Sequence, residues 1–178
     1  MRFSISRLIA RTLFAFALLA GTVGTAATAS ASPELVHFND NRFRAGTILV
    51  RNSERHLYLV LRGGKAIRYD VAVGKPGKSW QGQTYIDGKH WQPAWSPPAV
   101  VKRDFPHLPD VIAGGAPNNP MGVAAMTLAG GGQYAIHGTN RPNLIGGAVS
   151  YGCIRMRNQD IVDLFQRVSV RTPVIVIN

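Results

Sequence analysis

The chain has 178 residues, with 20 lysines and arginines against 9 aspartates and glutamates, and one cysteine. This length gives room for one domain with a single core, and the lone cysteine excludes an intramolecular disulfide. The excess of positive charge is typical of proteins that meet polyanions.

The first 31 residues predict a signal for export. Arg2, Arg7 and Arg11 give a positive start, residues 13–20 form a short apolar run, and Ala29-Ser30-Ala31 is a cleavage pattern of small residues. The apolar run is shorter than the ~20 residues of a membrane-spanning helix, although an uncleaved anchor is the alternative interpretation. We therefore expect cleavage after Ala31 and a protein exported to the periplasm or cell envelope.

Removal of the signal lowers the positive charge of the chain, and export limits the polyanions that it can meet. Without the three arginines of the signal, 17 basic residues face 9 acidic ones, which is a net charge of +8. We expect no nucleic-acid partner in this compartment, where wall polymers and lipid head groups are the polyanions at hand; simple solubility is the alternative. A lone thiol under oxidising conditions is either buried or kept for its reactivity.

Residues 32–45 predict an irregular lead-in, and residues 46–178 predict one domain of mainly β structure. Short runs rich in β-branched and aromatic residues predict strands at residues 47–50, 56–61, 66–73, 122–128, 133–137 and 173–177. Glycines at 63–64 and 130–132 predict turns between neighbouring strands. Apolar residues at helical spacing predict one main helix over residues 158–168, with Asn158 as its N-cap. The whole predicts a β-sandwich or a closed mixed sheet, with this one main α-helix following the cysteine loop.

Residues 75–121 are rich in proline and tryptophan and show little periodicity. A segment this long inside a compact domain is usually a functional lid or disordered, and its three tryptophans argue for order. We expect a mobile wall over the active site, with Trp95 in contact with substrate. The alternative is that the tryptophans pack beneath the loop as a small separate core.

Cys153 lies in the run Ser150-Tyr151-Gly152-Cys153-Ile154-Arg155-Met156, downstream of His137. Nearby cations and a helix N-terminus lower the pKa of a thiol, and Arg155, Arg157 and the start of the predicted helix stand in those positions. We therefore expect a nucleophile with a lowered pKa; the alternative is a small buried hydrophobic residue.

His137 follows Tyr134-Ala135-Ile136, so we expect it at a strand end, where an imidazole can act as a general base. The other four histidines belong to no motif. A zinc site is the alternative for a histidine and cysteine pair, but no second cysteine, no His-x-x-x-His and no acidic cluster accompanies it, so we expect no metal. No Asp or Glu lies between His137 and Cys153 that could orient the imidazole.

These elements together resemble the L,D-transpeptidase catalytic domain of the YkuD-like fold, over nearly all of residues 45–178. The stretches that carry the resemblance are His137-Gly138-Thr139, Ile145-Gly146, Ser150 to Met156, Leu57 to Val60, Tyr69 to Gly77, Pro93 to Pro98 and Asn119 to Gly122. Two features depart from the family pattern. The family commonly has histidine where this chain has Tyr151, and its Thr-Pro-x-Gly element appears here as Ser79-Trp80-Gln81-Gly82.

The resemblance implies that Cys153 is the nucleophile and His137 the general base and acid, with the backbone carbonyl of Gly138 as the group that orients the imidazole. Stabilising the oxyanion needs two donors. The backbone N–H groups of Gly152 and Cys153 are expected there, with that of Tyr151 as a further candidate. Glycine at 152 also lets substrate approach the backbone closely.

Ser150, Trp95 and Arg155 are expected to contact substrate, and the planar guanidinium of Arg155 suits a carboxylate. The resemblance implies acyl transfer on the tetrapeptide stems of peptidoglycan, without a cofactor: Cys153 attacks the carbonyl of the third residue, a diamino acid, and D-alanine leaves. The acyl group then passes to an amine of a second stem or to a lysine of an envelope protein. With water as acceptor the enzyme is an L,D-carboxypeptidase, and an inactive domain is a wall-binding module. The sequence leaves these alternatives open, and we expect a monomer.

Overall fold

The structure, a computed structural model, describes residues 33–130 and 134–178. The predicted signal and most of the predicted turn at 130–132 therefore lie outside the described residues. Within them the chain forms eleven strands and two α-helices. The strands are β1 Glu34–His37, β2 Ile48–Arg51, β3 His56–Leu61, β4 Lys65–Asp70, β5 Val73–Gly74, β6 Gly82–Trp91, β7 Ala124–Leu128, β8 Ala135–His137, β9 Ala148–Ser150, β10 Ile154–Arg155 and β11 Pro173–Ile177. The helices are α1 Ala99–Asp104 and α2 Asn158–Arg167.

Nine strands form one mixed sheet in the order β1-β4-β3-β2-β11-β6-β7-β8-β10, and β5 pairs separately with β9. Strand β6 joins the two halves of this sheet, because its first residues pair with β11 and its last residues pair with β7. The register shifts between Ile86 and Gly88. An extra residue of this kind bends a strand and increases its twist. The predicted mainly β mixed sheet is confirmed, in the form of one sheet that curls around its core.

The main core lies inside this curl and is closed by α2, which packs on β7 and β8. Helix α2 contributes Ile161, Leu164 and Phe165, which are buried at helical spacing. Full burial of one such side chain contributes about 1.5–3 kcal/mol, so these contacts fix the helix against β7 and against β8, the strand that carries His137. A second, smaller core around Phe38 and Tyr58 covers the other face of β2 and β3.

Most predicted strands are confirmed, and three expectations are wrong. The lead-in contains β1, which pairs with β4 and places Glu34 opposite Arg68. These two side chains form an ion pair, with 2.5 Å between the Arg68 Nη2 and the Glu34 Oε2. The segment 75–121 contains the ten-residue strand β6 as well as α1. Helix α2 begins at Asn158, with Arg157 at the N-cap position and no side-chain cap. None of the helices in the described part of the chain is long and apolar enough to span a membrane.

Candidate active site

The end of the sheet brings together the histidine and the cysteine that the sequence singles out. Strands β8 and β10 are parallel neighbours, with His137 directly opposite Arg155. Because side chains alternate along a strand, Cys153, two residues before Arg155, faces the same side as both. Adjacent strands lie about 4.8 Å apart, so the three side chains are close neighbours. All three line one cavity of about 470 Å³.

His137 is the last residue of β8 and is 3% exposed. Its Nδ1 lies 2.7 Å from the carbonyl oxygen of Gly138, which accepts a hydrogen bond from the ring. This places the proton on Nδ1 and leaves the lone pair on Nε2. Burial, reinforced by the charge of Arg155, lowers the pKa of His137 to about 4. The imidazole is therefore neutral at pH 7 and able to take a proton.

The electrostatics of the cysteine differ from the expectation. Burial raises the pKa of the Cys153 thiol, and the positive charge of Arg155 and a hydrogen bond from the backbone of Ala135 offset this only in part. Arg157, expected to help, instead pairs with Asp70 at 3.3 Å and lies 3.8 Å from Asp160. The expected lowered pKa is therefore wrong. The resting pair is a neutral thiol beside a neutral imidazole.

The loop before Cys153 is held by its own hydrogen bonds. The Ser150 hydroxyl donates to the carbonyl oxygen of Cys153 at 2.6 Å and accepts from the Gly152 N–H at 3.0 Å. Ser150 is fully buried, so the expectation that it contacts substrate is wrong: its side chain shapes the loop. The Gly152 N–H is likewise directed at a side chain and not at the cavity, which corrects its expected role as an oxyanion donor. The roles expected for the backbone N–H groups of Cys153 and Tyr151 stay predictions.

Two aromatic residues that sequence reasoning did not select support the same loop. The Trp80 indole N–H donates to the carbonyl oxygen of Gly152 at 2.9 Å, and the Trp80 ring stacks on Tyr134 at 5.2 Å between centroids. A Cβ at Gly152 would lie 2.3 Å from the Tyr134 ring, and the Gly152 φ of +120° also favours glycine. Trp80 belongs to the element that departs from the family pattern, so this departure supplies a support for the cysteine loop.

A second unexpected support comes from Asn158. Its side-chain oxygen accepts a hydrogen bond from the Thr139 N–H at 3.0 Å and a longer one from the Val123 N–H at 3.4 Å. The first residue of α2 therefore holds the loop that follows His137. Its polar side chain at the start of the predicted helix was the only signal in the sequence, and that signal suggested a helix cap instead.

The opposite wall of the cavity comes from the segment around α1. Trp95 lines the cavity and is half-buried, and its backbone exchanges two hydrogen bonds with Ile112 at 2.9 and 2.8 Å. Buried Asn119 ties the segment together, because its amide donates to the carbonyl oxygens of Pro93 and Ala113, each at 2.9 Å. The segment is thus an ordered wall, with Trp95 where substrate contact was expected.

Positive charge dominates the cavity. Arg155 and Arg141 both line it, and neither has a carboxylate partner in the described part of the chain. The Arg155 Nε is buried without a hydrogen-bond partner among the described residues. Burial, together with the nearby charge of Arg141, lowers the pKa of Arg155. Two uncompensated guanidinium groups make the cavity suited to an anionic ligand. In residues 33–130 and 134–178, no three His, Cys, Asp or Glu side chains are grouped so as to hold a metal.

Comparison with known proteins agrees with this site. Residues 45–176 match the family described as YkuD, L,D-transpeptidase catalytic domain. The chain is 38% identical over 136 residues to the Probable L,D-transpeptidase YbiS of Escherichia coli (strain K12), which covers 71% of this chain and 43% of YbiS. The chain spans less than half the length of the first curated relatives it matches.

Two solved structures show the same fold. One is an L,D-transpeptidase from Mycobacterium smegmatis, with a TM-score of 0.59 and 17% identity over 74% of this chain and 58% of that chain. The other is L,D-transpeptidase 3 from Mycobacterium tuberculosis in complex with a faropenem-derived adduct, with a TM-score of 0.57 and 15% identity over 74% and 60% of the two chains. The match over residues 45–176 establishes that the chain belongs to the YkuD family of L,D-transpeptidase catalytic domains.

Proposed function

We propose that the protein is an L,D-transpeptidase of the bacterial cell wall, which transfers acyl groups from peptidoglycan tetrapeptide stems through Cys153. The observation that carries this proposal is the shared cavity of Cys153, His137 and Arg155, on one face of β8 and β10. Family membership supports the reaction type. The two unpaired arginines support the substrate, because a stem peptide ends in a carboxylate.

The neutral resting pair defines the order of proton movements. The Cys153 Sγ bonds to the carbonyl carbon of the third residue while the His137 Nε2 takes the thiol proton. The bond from that carbon to the D-alanine nitrogen then breaks, and the leaving nitrogen takes the proton from Nε2. The result is a thioester on Cys153 and free D-alanine.

The second half repeats these steps with a new amine. An acceptor amine attacks the thioester carbon as His137 removes its proton, the carbon–sulfur bond breaks, and the thiol is regenerated. We assign the Gly138 carbonyl to orienting the imidazole, the backbone N–H groups of Cys153 and Tyr151 to the oxyanion, and Arg155 to the donor carboxylate. The acceptor is a second stem or a lysine of an envelope protein.

The test is incubation of the purified protein with a disaccharide-tetrapeptide, with products identified by mass spectrometry. We expect D-alanine together with a cross-linked dimer. D-alanine with tripeptide alone would identify a carboxypeptidase, and an unchanged donor would indicate an inactive wall-binding domain.

Variants assign the residues. Cys153→Ala should abolish D-alanine release, and His137→Ala should lower it about 10²–10⁴-fold, the usual contribution of a positioned base. His90→Ala is the matched control, since His90 lies in the same cross-strand row, opposite Ala125, but outside the cavity. If His137→Ala has no larger effect than His90→Ala, the role assigned to His137 is wrong.

An acyl-donor mimic provides a second test of the nucleophile. We propose that faropenem acylates Cys153, by analogy with the adduct in the Mycobacterium tuberculosis structure. Mass spectrometry should find the adduct on the peptide that contains the single cysteine. Failure of Cys153 to gain this mass contradicts the assignment of the nucleophile.

We also infer that the protein acts in the cell envelope, as the substrate requires. The N-terminal pattern supports cleavage after Ala31. N-terminal sequencing of the protein from an envelope fraction should begin at Ser32. A full-length, membrane-bound protein would instead identify the segment as an anchor.

A further inference from the structure

One hydrogen bond connects the two walls of the cavity. The Tyr151 hydroxyl donates to the Asp104 Oδ2 at 2.6 Å. Tyr151 lies two residues before Cys153, and Asp104 is the last residue of α1. The cysteine loop and the α1 wall are therefore joined directly beside the nucleophile.

This bond is distinctive among the side-chain contacts of α1. Lys102 binds the Leu108 carbonyl and Asp110, and Arg103 binds Asp104, so both remain within the wall segment. In the part of the chain that the structure describes, the bond to Tyr151 is the one side-chain hydrogen bond that connects α1 to the sheet. Its removal would leave α1 without a side-chain hydrogen bond to the rest of the described fold outside the wall segment.

The contact is also built to stay formed. The Lys75 ammonium lies 3.9 Å from the centroid of the Tyr151 ring, which fixes the ring through a cation–π contact. Hydrogen bonds from Tyr151 and Arg103 hold the pKa of Asp104 below its usual range, so the carboxylate remains an ionised acceptor at neutral pH. A hydrogen bond to a charged acceptor is stronger than one between neutral groups.

We propose that Tyr151 and Asp104 form a strap that holds α1 over the Cys153 thioester and so favours transfer to an amine over hydrolysis. This inference rests on the proposed function. In transfer, the amine nitrogen bonds to the thioester carbon, the carbon–sulfur bond breaks and an amide forms. In hydrolysis, the oxygen of water bonds to the thioester carbon instead, the carbon–sulfur bond breaks and a carboxylic acid forms. The thiol is regenerated in both cases. Water is far more concentrated than any acceptor, so a wall that excludes it decides the outcome.

In this proposal Tyr151 and Asp104 are positioning residues. Substitutions that remove or keep their hydrogen bond test it. Tyr151→Phe removes the hydroxyl and keeps the ring beneath Lys75. We expect the ratio of cross-linked dimer to free tripeptide to fall about three- to tenfold, the effect of losing one hydrogen bond that holds the wall closed. Asp104→Ala should give the same fall, and the double variant no further fall. Asp104→Asn, which keeps an acceptor oxygen, should restore most of the ratio.

Tyr58→Phe is the matched control. The Tyr58 hydroxyl also donates to a carboxylate at 2.6 Å, that of Glu54, but it lies on β3 outside the cavity. This variant should leave the product ratio unchanged. If the Tyr151 hydroxyl only stabilises the fold, Tyr151→Phe should lower the melting temperature, as Tyr58→Phe does, and leave the ratio of dimer to tripeptide unchanged. That result overturns the strap.

A second measurement does not depend on turnover. The rate at which iodoacetamide alkylates Cys153 without substrate should rise about three- to tenfold in Tyr151→Phe and stay constant in Tyr58→Phe. If the wild-type protein releases no D-alanine, the proposed function fails, and this rate alone decides whether the strap covers the thiol. Equal rates in Tyr151→Phe and the wild-type protein refute it.

Discussion

The protonation state of the cysteine and histidine pair leads to a prediction that separates two modes of thiol activation. A thiol at its ordinary pKa of about 8.5 is about 3% ionised at pH 7, and burial makes this fraction smaller for Cys153. The pKa of His137, lowered to about 4, prevents the imidazole from holding the thiol proton at rest. The alkylation rate of Cys153 should therefore rise about tenfold for each pH unit between pH 6 and 8.

The assay is simple because the chain has one cysteine. Alkylation by iodoacetamide is followed by mass spectrometry at a series of pH values, and the rate constant is plotted against pH. We expect no plateau below about pH 8.5, the reference value for a free thiol. A plateau reached by pH 7 would show a thiolate paired with an imidazolium and would refute the reasoning from burial.

Two arginine variants test the cause of the shift. Arg155→Gln should move the alkylation midpoint to still higher pH, because the Arg155 charge opposes the effect of burial, as does the hydrogen bond from the Ala135 backbone, which this variant leaves in place. Arg157→Gln is the matched control, since Arg157 pairs with Asp70 and Asp160 and does not line the cavity. An equal displacement of the midpoint in both variants would show that long-range charge, and not contact, governs the thiol.

Three further predictions concern stability and product choice. Burial raises the pKa of Asp160 to about 6 from the ordinary value of 3.8. The folded carboxyl therefore holds its proton more tightly than the unfolded one, so the contribution of Asp160 to stability is most favourable below about pH 4 and is lost as the pH rises through about 6. Asp160→Asn should raise the free energy of urea unfolding by up to about 3 kcal/mol at pH 8 and by nothing at pH 4; a pH-independent effect would contradict this. Asn158→Ala should lower the free energy of urea unfolding by about 1–3 kcal/mol, because it leaves the Thr139 N–H without its hydrogen-bond partner. Asn158→Asp keeps an acceptor oxygen and should lose less. Equal losses in the two variants would show that this hydrogen bond is unimportant. Trp95→Ala should shift products from dimer toward tripeptide because Trp95 lines the cavity wall, and lower stability with an unchanged product ratio would place Trp95 in the core.

Local patterns predicted those elements whose residues are buried in alternation or at helical spacing. Strands β2, β3 and β11 are runs of β-branched and leucine residues, and α2 presents a single apolar face. Strand β6 escaped prediction because its ten residues are largely polar and only Ile86 among them is buried. Its partners β11 and β7 come much later in the chain, so no local signal marks it. Strands β9 and β10 have three and two residues, too few to form a pattern.

The candidate site was predictable where chemistry follows residue type, and not where it follows burial. His137, Cys153 and Arg155 share the cavity, as the motif indicated. The sign of the thiol shift was not predictable, because positive neighbours can be counted in a sequence but desolvation cannot. The partners of Ser150 and Trp80 depend on how one loop folds back on itself, which only the structure gives.

The position of β11 has a consequence for when this site can assemble. Although β11 follows every other described strand in the chain, it lies in the middle of the sheet, between β2 and β6. During synthesis, the half with β1–β4 and the half that carries His137 and Cys153 therefore emerge without the strand that joins them. Pairings between distant segments form late and slowly, because loop-closure entropy is lost before the contacts form. The nascent chain thus has no closed curl: β8 and β10 can pair with each other, but the half of the sheet that contains them joins β1–β4 only after α2 and β11 have been made.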